Sequence, residues 1–143
     1  MTKTLLAEMR LPFPPSLNHY WRKDRNGMHI SDEGRRYVAL AQQLALLNGR
    51  GDTEFYLRVH REAEPKQRLR VRAVFFCPDN KKRDLDNMFK VIFDCLTKAK
   101  VWSDDSQVFE LSARKLMKRD YTNIQSAGHA ELEIFSYFSE GDE

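Results

Sequence analysis

A chain of 143 residues with 41% apolar and 31% charged side chains has the size and composition of one folded domain, which excludes wholesale disorder. No apolar run approaches the ~18 residues of a membrane-crossing helix, and the opening MTKTLLAEMR lacks the apolar stretch and cleavage site of a signal peptide, so a cytoplasmic protein without membrane partners is expected. The net charge of +3 divides into a body of +9 and an acidic stretch, 120–143, with six carboxylates and no Lys or Arg; a basic body points to a polyanionic partner, although most surface charge only solvates.

Residues 4–11, TLLAEMRL, read as a first strand that stops at Pro12. The segment PFPPSLNHYWRKDRNGMH has three prolines within four residues and is expected to be an irregular loop, carrying Phe13, Tyr20 and Trp21 with Arg22, Lys23 and Arg25. Ser31 is placed to cap a helix whose first turn holds Asp32 and Glu33, and apolar spacing from Tyr37 to Leu47 carries that helix over 32–48. FYLRVH (55–60) fits either a strand or a further helical turn. LRVRAVFF (69–76) alternates and is rich in Val and Phe, so it reads as a strand ended by Pro78. Leu85, Met88, Phe89, Ile92, Phe93 and Leu96 step by three and four, which predicts an amphipathic helix over 86–99 with its phenylalanines, and Trp102, in the core. VFELSARKLMK (108–118) and HAELEIFSYF (129–138) both alternate and are expected to form an antiparallel pair. The resulting fold class is α/β (α+β): one domain over 1–138 in β-α-β-α-β-β order, a mixed sheet with helices on one side, and an acidic tail at 139–143.

Two cysteines, Cys77 and Cys95, have no metal-ligand spacing, and neither have His19, His29, His60 and His129. Chemistry concentrates instead in KKRDLDNMFK and WSDDSQV. In an extended segment Asp84 and Asp86 place both carboxylates on one side about 6–7 Å apart. Such a pair repels unless a cation lies between, and hard oxygen ligands suit Mg²⁺ or Mn²⁺. The spacing alone carries little, because it recurs at 52/54, 62/64, 131/133 and 140/142, and an isolated Asp86 reads more simply as a helix cap. Its company raises it. Lys81, Lys82 and Arg83 precede the pair, as a polyanion site requires, and Asp104 and Asp105 are expected to begin the next strand, adding a third and fourth carboxylate at the sheet edge. Lys90 stands one turn after Asp86, either as an ion pair with Asp86 or Asp94 or as a cation that stabilises phosphate charge in a transition state. Tyr20 and Trp21 could stack on exposed bases or seal the loop onto the body.

These residues form a pattern. The run R83-D-L-D-N-x-x-K90, with F93-D-x-L-T-K-A99 and W102-x-D-D-x-Q-V108, resembles the RusA family of Holliday-junction resolvases, and P14-P-S-x-N18-x-Y20 and H29-I-S-x-E-G34 fit that family in the same order. The match extends from about Leu5 to Phe135; the chain departs from it at 49–68, which is longer than in short members, and in the acidic tail. The resemblance implies a homodimeric, Mg²⁺-dependent endonuclease, with Mn²⁺ able to substitute and no organic cofactor, that nicks two opposed strands of a four-way DNA junction. It assigns Asp84, Asp86 and Asp105 as metal ligands and Lys90 as the essential cation. Asp104 ranks second, because it would face the other side of an extended strand. Lys81, Lys82, Arg83, Arg22, Lys23 and Tyr20 are the candidate DNA contacts. Two other functions keep part of this picture: a metal-dependent nuclease for other branched DNA, and a non-catalytic DNA-binding relative.

Overall fold

The computed structural model describes residues 5–48, 68–121 and 127–137. The FYLRVH segment, the 49–67 stretch and the acidic tail lie outside the described residues. In chain order the elements are β1 (Leu5–Pro12), α1 (Leu17–Tyr20), β2 (Trp21–Asp24), β3 (Gly27–Ile30), α2 (Asp32–Asn48), β4 (Leu69–Phe76), α3 (Leu85–Lys98), β5 (Val108–Leu116) and β6 (His129–Ser136). The architecture is the expected mixed sheet with helices packed on it in a single domain.

Period-two alternation builds the sheet. Its order is β1-β6-β4-β5, with β6 antiparallel to both β1 and β4, and β5 parallel to β4. One cross-strand row runs Met9, Leu132, Ala73, Ala113, and the next Leu11, Ala130, Phe75, Lys115. All but the two β5 members are buried, so the core layer is complete under β1, β6 and β4 and thins at the β5 edge. The opposite face is charged, with Arg72 bound to Glu133 at 2.7 Å.

Helix α3 turns Met88, Phe89, Val91, Ile92, Cys95 and Leu96 onto the sheet, each contributing about 1.5–3 kcal/mol of burial. Beyond it Trp102 is fully buried; its indole Nε1–H donates to Thr97 Oγ1 at 2.7 Å and its ring meets Phe93 edge to face. Helix α2 is capped by Ser31, whose Oγ accepts the Gly34 amide at 3.0 Å and donates to the His19 carbonyl at 2.5 Å. Tyr37 of α2 closes on the first strand by donating its hydroxyl to the Pro12 carbonyl at 2.6 Å.

Two expectations are corrected. β5 and β6 do not pair with one another: α3 carries the chain from β4 across to β5, and such a helical crossover makes its two strands parallel neighbours. β6 then fills the free side of β4. The segment after Pro12 is also not irregular throughout. Its prolines end at Pro15, Ser16 caps the single turn α1, and β2 and β3 form a hairpin. The hairpin turn is made locally: Asp24 Oδ1 accepts the Asn26 amide at 2.8 Å and Gly27 sits at φ +100°, where glycine is favoured. No helix among the described residues is long and apolar enough to cross a membrane.

Candidate active site

Helix α3 positions most of the candidate residues. Asp86, Lys90 and Asp94 follow one another at intervals of four, so one face presents carboxylate, ammonium and carboxylate. That face floors a cleft of about 1160 Å³. The hairpin residues Trp21, Lys23 and Met28 form one wall, Leu111 and Ala113 of β5 the other, and Asp105 lines the same cleft. The walls come from the two features just described: the thinned β5 edge leaves Leu111 exposed and Ala113 only partly buried, and the hairpin register pairs Lys23 with Met28 and so aims both to one side. Gly34 allows the hairpin to sit close, since a Cβ there would lie 2.6 Å from Ile30 Cγ1 and 2.7 Å from the Tyr20 carbonyl oxygen.

The carboxylates are distributed along this cleft rather than gathered. Asp84 occupies the N-cap position of α3 without a side-chain capping bond, and it lines a neighbouring hollow with Phe13, Lys82 and Asn87. The expected cap at Asp86 therefore falls two residues earlier, and Asp86 is exposed in the first turn. Asp105 lies at the far end, near Asp94, which is eight residues beyond Asp86 or about 12 Å along the helix axis. Among the described residues no three His, Cys, Asp or Glu side chains stand close enough to share a metal ion. Within one chain the donor set for a hard divalent cation is thus split in two, with Asp84 and Asp86 at one end and Asp105 at the other.

The strand expected to begin at Asp104 begins instead at Val108. Asp104 caps a 3-10 turn, Asp105–Gln107, by accepting the Ser106 amide at 2.9 Å, while Gln107 Oε1 accepts the Asp104 amide at 3.1 Å. The strand-face reason for ranking Asp104 second therefore does not apply; its carboxylate is occupied as a cap. Partial desolvation, the hydrogen bond with Asp104 and the charges of Asp104 and Asp94 hold the Asp105 carboxyl above its ordinary pKa.

Lys90 is exposed and has no ion pair among the described residues, because Asp94 is taken by others: the Tyr20 hydroxyl donates to Asp94 Oδ2 at 2.6 Å and Lys98 Nζ bonds the same oxygen at 2.6 Å. Tyr20 is corrected as a DNA contact. It is fully buried, its hydroxyl shifted upward by that burial and by Asp94, and no base can reach its ring. Trp21, half-buried, packs edge to face on Tyr20 with Lys98 Nζ 4.8 Å from its centroid. Of the basic candidates, Arg22, Lys23, Lys81 and Lys82 are exposed. Arg83 is not free: its guanidinium forks onto Asp79 at 2.5 and 3.2 Å and lies over the Phe13 ring, while its carbonyl accepts Lys115 Nζ, which fixes the loop that delivers Asp84. Met28 and Leu111 were not singled out by sequence, and Asp94 was named only as a partner for Lys90. Its place in the cleft could have been read, since it continues the Asp86–Lys90 spacing by one more turn.

Comparison with known proteins identifies the family. The family model described as endodeoxyribonuclease RusA matches residues 12–125. A crossover junction endodeoxyribonuclease RusA of Shigella sonnei (strain Ss046) is 37% identical over 124 residues, covering 87% of this chain and 89% of its own. Proteins of the same description from Enterobacteria phage 82 and phage HK97 are 38% identical over 127 residues and 36% identical over 97, covering 87% and 68% of this chain and 89% and 72% of theirs. With the family pattern spanning both ends of α3, the hairpin and β5, the chain belongs to the RusA endodeoxyribonuclease family.

Proposed function

We propose that the chain is a structure-selective endodeoxyribonuclease that resolves four-way DNA junctions by paired, Mg²⁺-dependent phosphodiester hydrolysis, acting as a homodimer on cytoplasmic DNA. The observation that carries this reading is the single cleft lined by Asp86, Lys90 and Asp105 together with Lys23 of the basic hairpin. Its floor supplies carboxylates for a hard cation and an unpaired ammonium for a phosphate, and its rim supplies cations for the adjoining backbone.

Lys90 neutralises charge that develops on the phosphoryl oxygens. Asp84, Asp86 and Asp105 would hold Mg²⁺, with Mn²⁺ as a substitute, and a bound ion would supply a lowered pKa for an attacking water and an offset for charge on the leaving 3′-oxygen. Arg22, Lys23, Lys81 and Lys82 hold the phosphates that flank the cut, and Arg83 holds the Asp84 loop in place. A homodimer supplies two centres related by a two-fold axis, which matches the approximate two-fold symmetry of a four-way junction.

The test is nicking of a synthetic four-way junction and of a linear duplex of the same sequence, with Mg²⁺ and with EDTA. The reading expects paired nicks in the junction only, and only with Mg²⁺, with Asp86→Asn binding junction DNA but not cutting it. Equal cutting of linear duplex would overturn the junction assignment. Full activity in EDTA would overturn the metal.

A further inference from the structure

We propose that the segment leaving β5, residues 115–121, is a strut that sets the position of Asp84, and that Asn80 and Tyr121 are positioning residues for cleavage although neither lines the cleft. The inference rests on the nuclease reading and adds residues that act through the loop before α3 rather than on the DNA.

That loop, residues 77–84, joins β4 to α3, and no strand or helix spans it. Asp84 at its end makes no side-chain capping bond to α3. The Asp84 carboxylate therefore stands where the loop backbone puts it. Misplacing a reacting group by about 1 Å can cost about two orders of magnitude in rate. A loop that carries such a group needs support along its length.

The support comes from one segment. The Cys77 amide donates to the Leu116 carbonyl at 2.9 Å, which carries the pairing of β4 with β5 one residue past the strand. The Lys118 amide donates to the Asp79 carbonyl at 3.2 Å, and the Arg119 amide to Asn80 Oδ1 at 2.9 Å. The Tyr121 hydroxyl donates to the Cys77 carbonyl at 2.5 Å, and its ring meets Phe76 edge to face at 5.4 Å. Lys115 Nζ donates to the Arg83 carbonyl. The loop is thus held at its start, its middle and its end.

The strut is stiff in its own right. Residues Lys118–Asp120 form a 3-10 turn in which the Asp120 amide donates to the Met117 carbonyl at 2.8 Å and Asp120 Oδ2 accepts the Met117 amide at 2.8 Å. Within the loop, the Asp79 carboxylate accepts the Lys81 amide and the Arg83 guanidinium, so the fork on Arg83 is anchored through Asp79 to the strut. Asn80 separates positioning from folding. It is exposed, so truncating it removes the acceptor for Arg119 and no buried packing. Tyr121→Phe likewise keeps the ring on Phe76 and removes only the hydroxyl.

Single-turnover cleavage of a four-way junction by excess protein in Mg²⁺ reads the step at the site, and electrophoretic mobility of the same junction reads affinity. Asn80→Ala is expected to lower the single-turnover rate by about ten-fold or more with junction affinity unchanged. Asn80→Asp keeps an acceptor for the Arg119 amide and is expected to restore the rate, and Tyr121→Phe is expected to slow cleavage in the same way as Asn80→Ala. An alanine variant that cuts at the wild-type rate would overturn the proposal, as would an Asn80→Asp protein as slow as Asn80→Ala. A loss of rate matched by a loss of affinity would make Asn80 a DNA contact and overturn its positioning role. Amide hydrogen exchange in the free protein reads the strut without cleavage. Asn80→Ala is expected to speed exchange across 77–84 while β4 and α3 keep their protection, and unchanged exchange in the loop would overturn the strut. Faster loop exchange in that variant, with a wild-type protein that nicks no junction, would overturn the nuclease reading and leave the strut standing.

Discussion

Tyr20→Phe separates a structural aromatic from a DNA-stacking one. The substitution keeps the ring, and with it any stacking on a base, and removes only the hydroxyl that donates to Asp94 Oδ2 at 2.6 Å. A hydrogen bond to a charged acceptor contributes about 1.5–3 kcal/mol. The Asp94 side chain is 28% exposed and keeps Lys98, so the lower end of that range applies, about 1.5 kcal/mol. For a chain of this length such a loss lowers Tm by about 3–6 °C. Differential scanning calorimetry reads the stability, and electrophoretic mobility of a four-way junction across a salt series reads the contact. Buried packing predicts a lower Tm with junction affinity and its salt dependence unchanged at temperatures where both proteins are folded. A Tm within one degree of wild type, or weaker junction binding by a folded variant, would refute the assignment.

Lys90→Ala is expected to slow cleavage by orders of magnitude while shifting Tm by no more than about 4 °C, because an exposed cation without a partner contributes at most ~1 kcal/mol; a destabilised variant with full specific activity would reverse that role. Gly34→Ala is expected to cost about 1–3 kcal/mol, since the new Cβ strikes the Tyr20 carbonyl oxygen and must displace the hairpin wall; urea denaturation with an unchanged midpoint would contradict the close approach. Asp79 is held at about 2 by the Arg83 fork and by the Lys81 amide. A depressed acid stabilises the fold fully above the ordinary carboxylate pKa of about 4 and loses that contribution as pH falls toward 2. Asp79→Asn is therefore expected to flatten the fall of Tm over that window, and a curve parallel to wild type would show that the fork carries no stability.

What the sequence made legible follows the strength of its periodicities. LRVRAVFF could only be a strand, and the Ser31 cap with the run from Tyr37 onward defined α2. The hairpin was hidden because WRKD and GMHI are only four residues each and WRKD is mostly charged. Its formation depends on the Asp24 side chain and Gly27 rather than on apolar alternation. The partner of β5 was hidden for a different reason: alternation says that a strand has one buried face, not which strand lies beside it, and here the helical crossover decided. The site residues were legible as chemical types and not as positions. Asp84, Asp86, Lys90 and Asp105 stand within 22 residues, which suggests one cluster, yet Asp84 and Asp86 stand at the start of the 14-residue helix α3 and Asp105 lies beyond its end, so the helix acts as a rigid spacer. Arg83 shows the same limit: its sequence neighbours mark it as a phosphate contact, while its half-buried geometry spends the guanidinium on Asp79 and Phe13.

The two ends of α3 are also electrostatically unequal. Asp84 and Asp86 sit at the helix N-terminus, where the partial positive charge of the unsatisfied amides favours carboxylate anions. Asp105 sits near the C-terminal turns beside Asp94 and Asp104, where partial desolvation and both neighbours oppose its ionisation, and its pKa is raised accordingly. An acid whose pKa is raised by folding weakens the fold above that raised pKa, and the penalty fades as pH falls below the ordinary carboxylate value. In metal-free protein at neutral pH, Asp105→Asn removes that penalty and is expected to raise Tm, while abolishing cleavage. The gain is expected to shrink as pH falls and to vanish by about pH 3, below the ordinary carboxylate pKa of about 4. Mg²⁺ is expected to raise the Tm of wild type and not that of the variant, because the cation offsets the charge that the substitution has already removed. The measurement is a set of melts in EDTA and in Mg²⁺ at the two pH values. An Asp105→Asn protein less stable than wild type in EDTA at neutral pH would mean that this carboxylate supports the fold, and that the repulsion around it is not what a bound cation relieves.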